Sequence, residues 1–351
     1  MEINSVNLTF VIHGGVWRKP LSGEIGVTES NYISDLPLII FYLTKFFNNP
    51  KIIVSTWYGV IIPKECFIAT NNIEVVYSKD PGPSTISVTG RTHNLDRHMI
   101  STNQGLKNVK TEFSLVMRDD LYITSDKIIK KYNTQKKLQN DFHKQLKGPI
   151  LALADGTKIE KNAKFYKLIS RLFFFNTFPF HTCDFLYLGH TTDLRKLFPS
   201  NKPFSDGRIH DDKLILSMLS NKKLLLDRNK LVPKKFIYVQ KFITETFPIA
   251  MFLNRYDKLN ITSSWDWSTK NFNESFKWHT KSCILISMSL NNIRWAKQNL
   301  PGGRDKFHGR YTEFLWKYYN SKNIIKKTYF LIMHFLYKPF IFLFGFLFRR
   351  F

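Results

Sequence analysis

Two adjacent carboxylates close an apolar run in this chain: Phe113 to Met117 leads directly into Arg118-Asp119-Asp120. A hard divalent cation takes carboxylate oxygens and keeps positions open for phosphate oxygens. Acids on a rigid strand end, facing a cleft, supply such ligands, and the cation neutralises charge as a diphosphate leaves. The same residues serve equally well as a turn or helix cap, so the surrounding elements must decide between the two. Three other short segments stand in the same position after apolar runs: His13-Gly14-Gly15, Thr56-Trp57 and Asp80-Pro81-Gly82.

The spacing of apolar residues sets the elements that carry these segments. Residues 7–16 read as a buried strand that enters a loop at Gly14-Gly15. A helix is expected over 34–47, with Ser34 or Asp35 as N-cap and Pro37 in its first turn. Lys51–Trp57 and Ile73–Ser78 read as strands, and Lys79-Asp80-Pro81-Gly82-Pro83 ends the second of them. Asn94 to Val109 carries a helical stripe, with Gly105 marking a weak last turn or a close packing contact. Phe113–Met117 then forms the strand before the acids. This order implies a doubly wound, mostly parallel α/β sheet, in which ligands bind beyond the carboxyl ends of the strands.

Farther along, the lysine-rich stretch 127–148 is expected as a helix or a mobile connection over the site. Ile150–Ala154 reads as a strand. The aromatic run Leu172 to Leu188 ends in Asp184-Phe185-Leu186-Tyr187-Leu188-Gly189, and a helix follows from about Thr192 to Phe198 with Thr191 as its N-cap. Beyond Asp211-Asp212 the chain reads as helical and mixed.

The composition constrains partners more than chemistry. With 52 Lys+Arg against 27 Asp+Glu, the 351 residues carry a net charge of +25. Such a field favours nucleic acid, anionic headgroups or diphosphates, although a Lys/Asn/Ile-rich bias on solvated faces produces the same count. No helix-turn-helix, zinc-finger or RNA-recognition signature accompanies the charge, so a nucleic-acid partner is not expected, and it remains a second alternative. No G-x-G-x-x-G follows the first strand, which argues against a Rossmann oxidoreductase. Cys66, Cys183 and Cys283 lie far apart, so neither a zinc site nor a disulfide framework is expected. The start of the chain lacks a secretory signal pattern, which points to the cytoplasm. Thr328 to Phe351 is Phe-rich with basic flanks and is interrupted by His334, Lys338 and Pro339. That pattern suits a helix lying on an anionic leaflet better than a span or a buried helix. The expected location is therefore cytoplasmic, peripheral to the inner face of the plasma membrane.

In order and spacing, the motifs resemble the WavE family of bacterial lipopolysaccharide-synthesis proteins, which look like nucleotide-diphospho-sugar transferases. The carrying segments are Val11-Ile12-His13-Gly14-Gly15-Val16, Ser55-Thr56-Trp57, Ser78-Lys79-Asp80-Pro81-Gly82, Asn94-x-x-Arg97-x-x-x-Ser101-Thr102-x-x-Gly105-Leu106, Arg118-Asp119-Asp120 and Asp184 to Gly189. The resemblance spans roughly residues 7–200. The chain departs from the family pattern in three places. Arg118-Asp119-Asp120 stands where Arg-Ser-Asp is usual, Gly14-Gly15 where Gly-Pro is usual, and Gln240-Lys241-Phe242 where a Glu-Gln-Tyr-like helix is expected.

The resemblance implies a GT-A-like fold with a helical C-terminal extension and a glycosyltransferase acting on a growing lipopolysaccharide or capsule glycan. A phospho-sugar or polyol-phosphate transferase on the same fold is the alternative. It places Val11, His13, Gly14 and Asp80 toward the nucleotide base and ribose, and Asn94 and Arg97 toward the donor sugar or diphosphate. Asp120 with Asp119 would hold Mn²⁺ or Mg²⁺. Asp184 and Glu245 are the candidate general bases; His279 and His308 are left out of the metal set. The expected division is a nucleotide-sugar-binding core over 1–200, a mainly helical acceptor side over 201–320 and a membrane-associating tail over 321–351. The partners implied are a nucleotide-sugar, a lipid-linked or oligosaccharide acceptor and the cytoplasmic membrane surface.

Overall fold

The computed structural model describes residues 2–17, 33–86, 91–137, 139, 141–154, 182–208, 243–262, 277–287 and 291–295, with single positions at 274, 324, 325, 328 and 332. In chain order the elements are β1 (Leu8–His13), α1 (Leu36–Phe46), β2 (Lys51–Trp57), α2 (Glu65–Ala69), β3 (Ile73–Ser78), β4 (Ser84–Ile86), β5 (Arg91–His93), α3 (Leu95–Asn108), β6 (Phe113–Arg118), β7 (Leu121–Ile123), α4 (Lys127–Lys136), β8 (Ile150–Ala154), β9 (Thr182–His190), α5 (Thr191–Leu197), α6 (Ile243–Tyr256), β10 (Cys283–Ile286) and β11 (Ile293–Trp295).

Every residue of β1 is buried, as a strand covered on both faces requires. It lies inside a seven-stranded sheet of order β10-β8-β9-β6-β1-β2-β3. The strands run parallel except β9, which is antiparallel to both β6 and β8. Alternation along β1 separates the two faces. The Phe10 ring packs against Phe47 at the end of α1, 4.8 Å between centroids. Val11, pointing the other way, lies under Gly105 of α3. A Cβ on Gly105 would stand 2.4 Å from Val11 Cγ1 and 3.1 Å from Ser55 Cβ, so the close packing contact holds and only glycine lets α3 sit this low.

α3 is fastened at its middle and at its carboxyl end. Ser55 Oγ donates to the Ser101 carbonyl at 2.7 Å. At the carboxyl terminus, Arg195 of α5 donates from Nε to Leu106 O at 3.0 Å and from Nη2 to Val109 O at 2.7 Å. A cation there satisfies orphan carbonyls and opposes the helix dipole. The amino end of α3 therefore stays at the carboxyl ends of the strands.

Two expectations change on folding. α4 does not cover the acidic site: Tyr132 packs against Phe113 and donates to Pro149 O at 3.0 Å, and Asn133 exchanges bonds with Ile3. These contacts hold α4 at the amino ends of the strands. Thr191 begins α5 rather than capping it, because its hydroxyl donates to Thr111 O. The described C-terminal residues include strands as well as helices. After one π-helical turn (Trp278–Ser282), β10 extends the central sheet in parallel with β8, and β11 pairs with β7. A four-residue buried run such as Cys283–Ile286 is too short for periodicity to separate strand from helix. Among the described residues, no helix is long and apolar enough to cross a membrane; most of Thr328–Phe351 lies outside them.

Candidate functional site

β1 and β6 are neighbours, yet the chain leaves β1 toward β2 and β3 and returns to β6 only through α3. Strand order reverses between them, and the crevice beyond such a switch point is where open α/β sheets bind ligands. The loops after β1 and β6 are locked together there. The Asp119 amide donates to His13 O at 3.1 Å, and Asp119 Oδ2 accepts from the Val16 amide at 2.6 Å. Gly14 has φ 151°, and a Cβ on it would lie 2.3 Å from Asp119 Cγ. The room that Gly14 leaves is thus occupied by the Asp119 carboxylate. Val16 stands at φ 65°, a left-handed conformation that costs a β-branched residue about 1–3 kcal/mol. Its buried side chain and its bond to Asp119 hold it there.

Electrostatics at this end are polarised. Burial and then the neighbouring Asp120 push the Asp119 carboxyl up to about 6, partly opposed by the Val16 amide and Arg118. Arg118 grips Asp120 with two bonds, Nε to Oδ1 at 3.1 Å and Nη2 to Oδ2 at 2.8 Å. Asp35 stands at the N-cap of α1, as expected, but its side chain makes no cap bond and accepts from Tyr122 Oη at 3.1 Å. His13 is held well below the ordinary histidine range by burial, then by His98 and Arg118, so its ring is neutral. The Ser101 hydroxyl gives its proton to the Arg97 carbonyl at 2.8 Å and lies 3.3 Å from His13 Nδ1. Nε2 of His13 is buried without a hydrogen bond.

At the end of β3, Arg97 grips Asp80 through Nε at 2.7 Å and Nη2 at 2.5 Å. Arg97 therefore pairs with Asp80, and not with Asp96 or Asp119. Its hydrogen bonds hold the Asp80 carboxyl below the usual range, helped by the Gly82 amide at 2.9 Å. Asp96 is fully buried and ties α3 to the loop after α5 by accepting from the Phe204 and Ser205 amides, both at 3.0 Å.

The sequence-derived residues thus divide. His13, Gly14, Asp119 and Asp120 meet at the switch point, and Asp80, Arg97 and Asn94 lie at the end of β3, with β2 between it and β1. Asn94 contributes a long 3.4 Å contact from Arg97. Val11 has no exposed surface, being sealed beneath Gly105. Asp184 lies on the part of β9 that continues past the Met117↔Leu186 pair, toward the end where Asp119 and Asp120 sit. Glu245 is in the first turn of α6. The side chains of Asp184 and Glu245, like His279 and His308, lie outside the description. Asp35, Tyr122 and the Val16 amide were not foreseen as parts of the site; no local pattern marks them, since Tyr122 reaches Asp35 across 87 positions of sequence. Among the described residues, no group of three or more His, Cys, Asp or Glu has metal-holding geometry.

The fold and this geometry define a doubly wound α/β protein with its polar strand ends gathered at a switch point. The family described as WavE lipopolysaccharide synthesis matches residues 8–217, more than half of the chain, and the chain belongs to that family. No curated protein matches it. Among solved structures, it is similar to HddC from Yersinia pseudotuberculosis complexed with GMP-PN, at 11% identity and TM-score 0.30 over 53% of this chain and 78% of that one. A second crystal structure of HddC from the same organism gives 14% identity and TM-score 0.29 over 54% and 79%. Both are too distant to bear on function.

Proposed function

We propose that the chain is a glycosyltransferase that moves a sugar from a nucleotide-sugar donor to a growing cell-surface glycan, lipopolysaccharide or capsule. The observation that carries this reading is the joining of the β1 and β6 loops through Asp119 at the switch point. Membership in a lipopolysaccharide synthesis family supports it.

In this reading, the donor's base and ribose lie against the His13–Gly14 turn. Arg97 sits at the amino end of α3, where helix dipole and guanidinium both favour a diphosphate. The Asp80–Arg97 pair keeps the guanidinium oriented until phosphate oxygens compete for it. The acidic pair suits Mn²⁺ or Mg²⁺ by donor chemistry, since two adjacent carboxylates stand on one strand end. Asp120 and Asp119 would hold the cation, which would neutralise charge on the departing diphosphate. A carboxylate opposite the leaving group takes the proton of the acceptor hydroxyl; Asp184 is the first candidate and Glu245 the second. A membrane-bound acceptor fits a chain that works at the cytoplasmic face.

A thermal-shift panel of nucleoside diphosphates, with and without Mn²⁺ or Mg²⁺, tests this directly. The expected result is stabilisation by one nucleotide that grows with the cation, followed by nucleotide release in a donor screen. No shift with any nucleotide, together with salt-dependent retention of DNA or RNA, would overturn it.

A further inference from the structure

Large hydrophobic side chains that face solvent are unevenly distributed over the molecule. Of the twelve that are exposed among the described residues, seven fall between Leu38 and Tyr77; the others are Val6, Trp17, Ile324, Ile325 and Ile332. Scattered exposed apolar residues are ordinary, whereas a concentration on one side marks an interaction surface. Ile61 is 77% exposed, Ile68 84% and Tyr58 71%. Phe67 on α2 and Phe41 on α1 are exposed as well, and the two helices pack side by side.

The patch adjoins the mouth of the site. Trp17 follows β1 at its carboxyl end, and its indole N–H donates to Ile61 O at 2.7 Å, fixing a half-exposed ring beside the β2–α2 loop. Tyr58, just past β2, stacks on Tyr77 near the end of β3 with centroids 6.4 Å apart. These ends are the ones that present Gly14 and Asp80.

The residue types indicate the partner. Exposed Trp and Tyr beside exposed Phe and Ile supply the residue types that take the headgroup and acyl layers of a bilayer surface. Lysines accompany them: Lys45 Nζ lies 6.0 Å from the Phe41 ring centroid, and Lys64 and Lys79 are exposed. Glu65 and Glu74 are the exposed acids on α2 and β3. A chain of net charge +25 is drawn to an anionic surface before any apolar contact forms.

We infer that the Trp17–Tyr58–Ile61 rim, with Phe67 and Ile68 of α2, docks on an anionic lipid bilayer and turns the carboxyl ends of the strands toward it. This rests on the membrane-peripheral part of the proposed function and adds a contact separate from the 328–351 tail.

The test is flotation of the full chain with phosphatidylglycerol-containing vesicles and with phosphatidylcholine vesicles. The unaltered protein should float with the former, and the triple variant Ile61→Ser/Phe67→Ser/Ile68→Ser should lose on the order of tenfold in binding. Its melting temperature and its nucleotide-induced thermal shift should be unchanged, so failure of the docking surface is distinguishable from failure of the transferase reading. Because the triple change could alter folding, a Tyr58→Cys variant carrying an environment-sensitive fluorophore gives a second readout, a blue shift on vesicle addition. Equal flotation of the triple variant, or no blue shift at position 58, would overturn the inference. So would a fall in solution mass on making the triple variant, which would assign the patch to a second copy of the chain.

Discussion

The ends of β3 and β6 each present an aspartate gripped by an arginine, Asp80 by Arg97 and Asp120 by Arg118. At β3 both partners are about one-third exposed, 33% and 31%, whereas the Asp120 side chain is 7% exposed. The larger difference is the second acid at β6. Asp119 is turned inward against Gly14, and its carboxyl is pushed upward while that of Asp80 is drawn down. The same residue types thus give a solvated clamp at the end of β3 and a charge-loaded acid pair at the end of β6, with β1 and β2 between them. Burial decides between the two, since desolvation disfavours the charged form and a nearby guanidinium favours it.

The comparison is most severely tested by Asp120→Asn. It should lower nucleotide release from the donor by about 10²–10³-fold with the fold intact by circular dichroism. Activity near that of the unaltered chain would remove Asp120 from the chemistry. Next in size is Gly14→Ala, whose Cβ would enter the Asp119 carboxylate. Overpacking and the φ of 151° together should cost about 3 kcal/mol in denaturant unfolding. Adding Asp119→Ala should recover part of that loss, and strict additivity would show that the two do not meet.

Asp119→Asn should have the opposite sign near neutral pH. A carboxyl raised to about 6 in the folded chain favours the protonated form, so stability falls as pH rises from the unfolded value near 4 through 6. In metal-free buffer the asparagine variant should gain on the order of 2 kcal/mol at pH 7.5 and flatten the profile between pH 4 and 6. A profile identical to that of the unaltered chain would contradict the charge loading at β6. The smallest effect is at β3. Asp80 is lowered, so its contribution is present above the unfolded value and is lost as pH falls through the folded one. With both side chains about one-third exposed, Asp80→Asn should cost under about 1 kcal/mol at pH 7, and less in high salt.

Legibility followed the range of the forces involved. β1, β2, β3, α1 and α3 were readable because each carries an apolar run or helical stripe bounded by Gly, Pro or a cap. The five-residue α2, the β4–β5 hairpin and β10 were not, since three to five residues give no period to read. Arg97 and Asp80 were each marked by position at an element end, but their partnership bridges 17 residues and needed the fold.

By itself the sequence determined that polar residues would follow apolar strands at the same end of a parallel sheet. Strand direction, crossover helices and turn chemistry are local or periodic, and they put His13, Asp80 and Asp119 on one rim. Only the tertiary structure decided what each of them meets there. Gly14 proved to be the seat of Asp119, Val11 was sealed under Gly105, and Asp35, at the N-cap of α1, turned its carboxylate to Tyr122 instead of to the helix. Those outcomes depend on desolvation and on contacts between residues distant in sequence, and neither is encoded in the spacing of any single segment.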